Sequence, residues 1–146
     1  MQLLKKPELK RKIKVVIDTN VLVSALINTR GTVSALLDRF IAGEFEAVIS
    51  NDIFQEYEDV FYRKDFNFSS EKIVVLLKFL EKFILPLPIS YHINICQDFE
   101  DNKFLECAME GAVDFIVTGN KKRFPISEYK GIKIVSPAEF LIYFQK

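Results

Sequence analysis

At 146 residues the chain is most simply one domain, able to bury roughly two thirds of its unfolded surface, so it needs no disulfide or metal staple to fold. Apolar residues make up 49% and aromatics 13%, with fourteen Phe, which argues against a disordered chain. Twenty basic and twenty acidic side chains cancel, so bulk charge points to neither a nucleic acid nor a membrane, and local patches must carry any such argument.

Residues 1–12 read as a basic arm on a solvated lead-in. Lys5, Lys6, Lys10, Arg11, Lys12 and Lys14 precede an apolar stretch, as in a signal peptide, but Asp18, Thr19 and Asn20 break that stretch and no small-residue cleavage site follows. No apolar run is long enough to span a bilayer. Cys96 and Cys107 form no Cys-x-x-Cys, which suits free thiols in a reducing compartment. The expectation is a soluble cytoplasmic protein with no membrane partner.

Ile13, Val15, Val16 and Ile17 form a β-branched run that predicts a strand buried on both faces. It stops at Asp18. Val21, Leu22, Ala25 and Leu26 follow at helical spacing, with Thr19 or Asn20 placed as cap. Asp18 therefore sits where a buried strand hands over to a helix, the edge at which open α/β sheets bind ligands. Thr32 opens a second helix through Val33, Leu36, Leu37 and Phe40, ending near Gly43. Residues 45–49 predict a short strand, and Ser50 caps a helix through Ile53, Tyr57, Val60 and Phe61. Glu56 falls on or beside the buried stripe of that helix.

Ser69 or Ser70 opens an apolar helix from Lys72 to about Leu85, ended by Pro86 and Pro88. That helix is more apolar than a surface helix requires, so besides core packing it is a candidate partner surface such as a homodimer contact. The alternation in 90–96 predicts a strand, with His92 structural inside it. From Glu100 a helix follows, with Phe104, Leu105, Ala108 and Ala112 on one face and Asp101 opening that stripe. Residues 115–117 form another buried strand, ending in Thr118, Gly119 and Asn120. Ile132 to Val135 is a last strand, and Ser136-Pro137 starts a closing helix. Alternating strands and helices without repeats or linkers predict one α/β domain over 13–146 with a mostly parallel sheet.

Asp18, Glu56 and Asp101 come from three elements, and Asn120 adds a polar oxygen at a fourth. Strand ends sharing one sheet edge bring such groups together. Clustered carboxylates repel, and a cation is the simplest thing that holds them ionised. Oxygen ligands without His or Cys favour Mg²⁺ or Mn²⁺, ions that activate water and stabilise phosphoryl displacement. Each acid also has a structural reading: a cap at Asp18, a solvent-facing helix acid at Glu56, a helix-dipole or capping-box role at Asp101. The functional reading rests on joint placement. Lys121, Lys122, Arg123, Lys130 and Lys133 follow the proposed site and form a candidate track for a phosphate backbone, with a solvated loop as the alternative.

The motifs V-I-D-T-N-V-L-V-S-A-L (16–26), S-N-D-I-F-Q-E-Y-E-D-V (50–60), D-F-E-D-N-K-F-L-E-C-A (98–108), F-I-V-T-G-N (115–120) and the closing I-V-S-P-A-E-F-L recur in the order found in PIN-domain proteins. The chain resembles, more narrowly, the toxin components of prokaryotic toxin–antitoxin systems. The resemblance implies a metal-dependent ribonuclease with an acidic site on a three-layer α/β/α sandwich, acting on RNA, with a cognate antitoxin and a homodimer or higher homo-oligomer as partners. Matched by position, Asp18, Glu56 and Asp101 are the metal-binding acids, Asp98 a helix cap or outer group, and Asn20 and Thr118 hydrogen-bonding supports. Asn120 stands where many such nucleases carry Asp, which implies weaker metal binding or one well-held ion. The alternative is a catalytically weakened PIN-fold RNA-binding or protein-interaction module, against which three retained acids argue. A phosphoacceptor receiver lacks its central-strand Asp here, and a haloacid-type phosphatase lacks its Asp-x-Asp.

Overall fold

The computed structural model describes residues 11–145. The expected basic arm lies outside these residues except for Arg11 and Lys12, and Arg11 pairs with Asp114 at 2.7 Å.

The chain runs β1 (Lys14–Ile17), α1 (Thr19–Ile27), α2 (Thr32–Ile41), β2 (Glu46–Ala47), α3 (Asn51–Phe61), α4 (Ser70–Glu81), a 3₁₀ turn (Phe99–Asp101) leading into α5 (Asn102–Glu110), β3 (Phe115–Val117), a second 3₁₀ turn (Lys121–Arg123), β4 (Glu128–Tyr129), β5 (Ile132–Val135) and α6 (Pro137–Gln145). The five strands form one sheet in the order β2-β1-β3-β5-β4. All neighbours are parallel except β4 and β5. Val15 and Val16 point to opposite faces of the sheet, and both are fully buried. Helices therefore cover β1 on both sides, with α5 packed on β1 and β3 and α6 on β3 and β5. This is the expected α/β architecture of a mostly parallel sheet between helices.

Several boundaries follow from local chemistry. Ser50 Oγ accepts from the Ile53 N–H at 3.2 Å, and Ser69 Oγ accepts from Lys72 N–H at 3.2 Å. At α6, Glu139 N–H donates to Ser136 Oγ at 3.1 Å while Ser136 N–H donates to Glu139 Oε1 at 2.8 Å, a reciprocal capping box. Thr19 and Asn20 are helical rather than caps, and Gly31 rather than Thr32 takes the cap position of α2.

Further expectations are corrected. Residues 90–96 form no strand, because side chains of α5 take their backbone donors: Ile93 N–H bonds Glu106 Oε2 at 2.9 Å, and Ile95 and Cys96 N–H both bond Asn102 Oδ1 at 3.0 and 2.9 Å. His92 is accordingly an exposed loop residue, not a strand residue. The apolar helix ends at Glu81 rather than near Leu85, since the chain beyond it extends beside Ile49: Ile49 N–H donates to Phe83 O at 3.2 Å and Leu85 N–H to Ile49 O at 2.9 Å. The hairpin of β4 and β5 was absent from the sequence reading. It turns on Lys130 and Gly131, both at positive φ (50° and 89°), the demand of a tight two-residue hairpin, which glycine meets without strain.

Candidate active site at the carboxyl edge of the sheet

The connection leaving β1 goes to β2 on one side, while β3 lies on the other. The crevice between the ends of β1 and β3 is thus the point where strand order reverses. Ile17 is in register with Val117, so Asp18 and Thr118 leave the sheet side by side. Asp18 N–H still donates to Val117 O at 2.9 Å and Thr118 N–H to Val135 O at 2.9 Å. Both residues are fully buried. Thr118 Oγ1 donates to Asp18 Oδ2 at 2.7 Å and accepts from Asn120 N–H at 3.0 Å. Asn20, on the first turn of α1, accepts from Gly119 N–H at 3.1 Å. A Cβ on Gly119 would lie 3.3 Å from that same amide oxygen, so the small residue permits the close approach.

The capping alternative fails for two of the acids. Asp18 occupies the cap position of α1 without a side-chain cap bond, and Asp101 stands likewise before α5. Asp98 instead shapes the turn, accepting Glu100 N–H on Oδ1 at 3.0 Å and Asp101 N–H on its carbonyl at 3.0 Å. This leaves the Asp101 carboxylate free of capping duty and 6% exposed. Glu56 is no solvent-facing acid either. Thr19 Oγ1 donates to its Oε2, and Lys103 Nζ lies 2.5 Å from its Oε1.

Between the acids stands a cation from the chain itself. Arg123 Nη1 lies 2.8 Å from both Oδ1 and Oδ2 of Asp18, and Nε lies 3.6 Å from Asp101 Oδ1. Among the described residues, no three of His, Cys, Asp and Glu come together closely enough to hold an ion: Asp18 and Asp101 share Arg123, and Glu56 is turned toward Lys103. The acids nonetheless act on one another. Burial lifts the Asp101 carboxyl above its ordinary range, Arg123 opposes the rise, and the charges of Asp98, Asp18 and Glu56 add to it. Burial pulls the Arg123 guanidinium down, but its bonds and attraction to Asp18, with Asp101 and Glu56, outweigh this and leave it raised. Lys103 is raised in the same way, Glu56 and Glu100 overcoming burial. No buried side-chain nitrogen or oxygen among the described residues lacks a partner.

The other expected residues separate. Asn120 is exposed, and its Oδ1 accepts Lys122 N–H at 3.2 Å, capping the 3₁₀ turn. Lys121 pairs with Glu139 at 2.9 Å, while Lys122 is exposed. Of that basic cluster, only Arg123 turns into the acids. Sequence reasoning missed Lys103 and Thr19 as partners of Glu56, and Asn102, 2% exposed, as the anchor of the loop before Asp98. Their one sequence signal was adjacency to the proposed acids. A groove of about 760 Å³ opens beside Glu56 and Lys103, and Phe99, Tyr91 and His92 contribute to its walls.

The donors gathered here are all carboxylate oxygens, the donor type that hard divalent cations take. Among the described residues no helix is long and apolar enough to cross a membrane. The PIN domain family matches residues 14–122. The uncharacterized protein MJ1680 of Methanocaldococcus jannaschii is 31% identical, over 94% of this chain and 95% of its own length. With the acidic crevice at the strand switch and a match over most of its length, the chain belongs to the PIN domain family, whose members are generally nucleases that use divalent metal ions.

Proposed function

We propose that this protein is a metal-dependent endoribonuclease that hydrolyses RNA phosphodiester bonds, with Asp18, Glu56 and Asp101 as the acids that hold Mg²⁺ or Mn²⁺. The observation that carries the proposal is the buried Asp18 carboxylate at the β1/β3 crevice, held by Thr118 and facing Asp101 across a single cation. An ion bound there supplies polarisation of the phosphate and an activated water. The chain's own residues do the positioning. Thr118 fixes the Asp18 carboxylate, the turn capped by Asp98 presents Asp101, and Thr19 with Lys103 orients Glu56. Asn120, at the rim, offers an amide oxygen as a further ligand once it leaves its turn. Exposed Lys122, with Lys121 beside it, suits contacts to the substrate backbone that carry affinity without reading sequence.

The toxin role, with a cognate antitoxin and a homodimer or higher homo-oligomer in the cytoplasm, belongs to the same proposal and rests on the resemblance to toxin components. An apolar groove of about 510 Å³ between α1, α2 and α4, walled by Leu26, Leu37, Leu76 and Phe79, supports a self-association surface. Ile41 and Val75 in its lining are exposed.

A second reading, a PIN-fold module that binds RNA or protein without cutting, is favoured by one observation. Arg123 and Lys103 already pair with the acids, so their retention does not by itself require an ion. Cleavage of a labelled single-stranded RNA by purified protein, with Mg²⁺, Mn²⁺ or a chelator and beside Asp18→Asn, separates the two. Metal-dependent cleavage that disappears in the variant supports the nuclease, and arrest of growth by wild type but not by the variant supports the toxin role. Cleavage surviving in Asp18→Asn refutes the site assignment. Absence of cleavage by folded protein under every condition favours the non-cutting module.

A further inference from the structure

We infer that Arg123 is the resident counter-ion of the acid site and competes directly with the divalent ion for Asp18 and Asp101. The inference rests on the metal-dependent reading above. Three observations carry it. Arg123 contacts both oxygens of Asp18, which is otherwise sealed from solvent and bonded only by Thr118 on one of them. The same guanidinium reaches Asp101, so it spans the two carboxylates an ion would bridge. Its side chain is 32% exposed and rides on a short 3₁₀ turn at the surface, whereas Asp18 is locked to the end of β1. The cation is therefore the movable partner and the carboxylate the fixed one.

Charge sharpens the competition. Arg123 cancels one charge of the Asp18 and Asp101 pair that it contacts, and so weakens their draw on a divalent ion. With Arg123 withdrawn, the attraction is restored at a distance where unit charges interact strongly in a partly buried site. A site closed by its own arginine most of the time binds an ion more weakly by the fraction of time it is open. Lys103 does not play this part, since Glu56 and Glu100 both hold it and its side chain is 15% exposed.

The test is Mn²⁺ titration of wild type, Arg123→Gln and Arg123→Lys by calorimetry, with thermal unfolding at each metal concentration. Removing the guanidinium should lower the midpoint without metal, because it leaves the buried Asp18 uncompensated. It should also tighten Mn²⁺ binding by roughly tenfold or more, so metal raises the midpoint further than in wild type. Arg123→Lys should fall between the two. A merely structural arginine gives the first effect without the second. Unchanged or weaker Mn²⁺ binding by Arg123→Gln, with wild type binding normally, overturns the inference and spares the metal reading. No Mn²⁺ binding by either protein overturns both. If Arg123→Gln does not fold without metal, the Arg123 Nε–H resonance of the wild-type protein decides, assigned by its loss in Arg123→Lys. Competition requires that resonance, from an Nε 3.6 Å from Asp101, to shift as Mg²⁺ is added and the guanidinium leaves the acids, and a resonance indifferent to saturating Mg²⁺ overturns the inference.

Discussion

Replacing Thr118 by Val tests how the buried carboxylate is held. The substitution keeps the branched shape and puts a methyl in place of the hydroxyl. That hydroxyl donates to Asp18 Oδ2 at 2.7 Å and accepts from Asn120 N–H at 3.0 Å, with Asp18 and Thr118 both at 0% exposure. A hydrogen bond to a charged group contributes about 1.5–3 kcal/mol. Arg123 remains on both Asp18 oxygens and limits the loss. Asn120 is exposed, so its N–H turns to water at little cost. The expected destabilisation is about 2 kcal/mol. For a chain of this size, that is a fall in Tm of roughly 4–8 °C. Urea unfolding followed by circular dichroism should show a lower midpoint with an unchanged slope, since the surface exposed on unfolding is the same. A loss below about 0.5 kcal/mol, the range of neutral surface changes, would refute the argument that Thr118 anchors Asp18.

Asn120→Asp keeps the oxygen that accepts Lys122 N–H and so preserves the turn, while adding a negative charge at the rim. The Mg²⁺ or Mn²⁺ concentration needed for half-maximal cleavage should fall, and an unchanged or weaker titration counts against a metal role for this position. Asp101→Asn should abolish cleavage yet leave the thermal midpoint at neutral pH unchanged or higher. Burial lifts the Asp101 carboxyl above its ordinary range, so ionisation is disfavoured in the fold, and stability is lost as pH rises from the unfolded value through the raised one. The asparagine removes that cost, and a midpoint lowered by several degrees would show that the Arg123 contact outweighs it. Asp114 has the opposite sign. Hydrogen bonds from Arg11 hold its carboxyl low, and its contribution fades as pH falls through the lowered value.

The sheet was legible wherever a strand's own side chains are buried on both faces, as at Val15, Val16 and Ile116. Caps were legible where an oxygen serves its own helix, as at Ser50 and Ser69. Alternation misled in 90–96 because the partners of those backbone donors are side chains of α5, six to thirteen residues on. No pattern inside the segment reveals them. The acids could be placed near strand and helix ends from the chain alone, since their positions depend on local element order. What faces them could not. Arg123 meets Asp18 across 105 residues and Lys103 meets Glu56 across the α3–α5 contact, pairings that exist only once the sheet is assembled. Read in isolation, Arg123 was one of several loop cations available to a substrate.

The irregular segment beyond α4 and the tight hairpin at the far side bear on how the molecule behaves at high concentration. A parallel sheet with open edges offers its unpaired amides to another chain, and fibrous or amorphous aggregates grow from that template. Here the chain beside Ile49 pairs through residues 83–85, shielding one end of the sheet with its own backbone. At the other end β4 is two residues long, one of them the exposed Glu128, with exposed Lys130 directly after it, too short and too charged to receive a foreign strand. Self-association through strand addition is thereby disfavoured at both margins, and copies of this protein that meet have helical surfaces left to meet through.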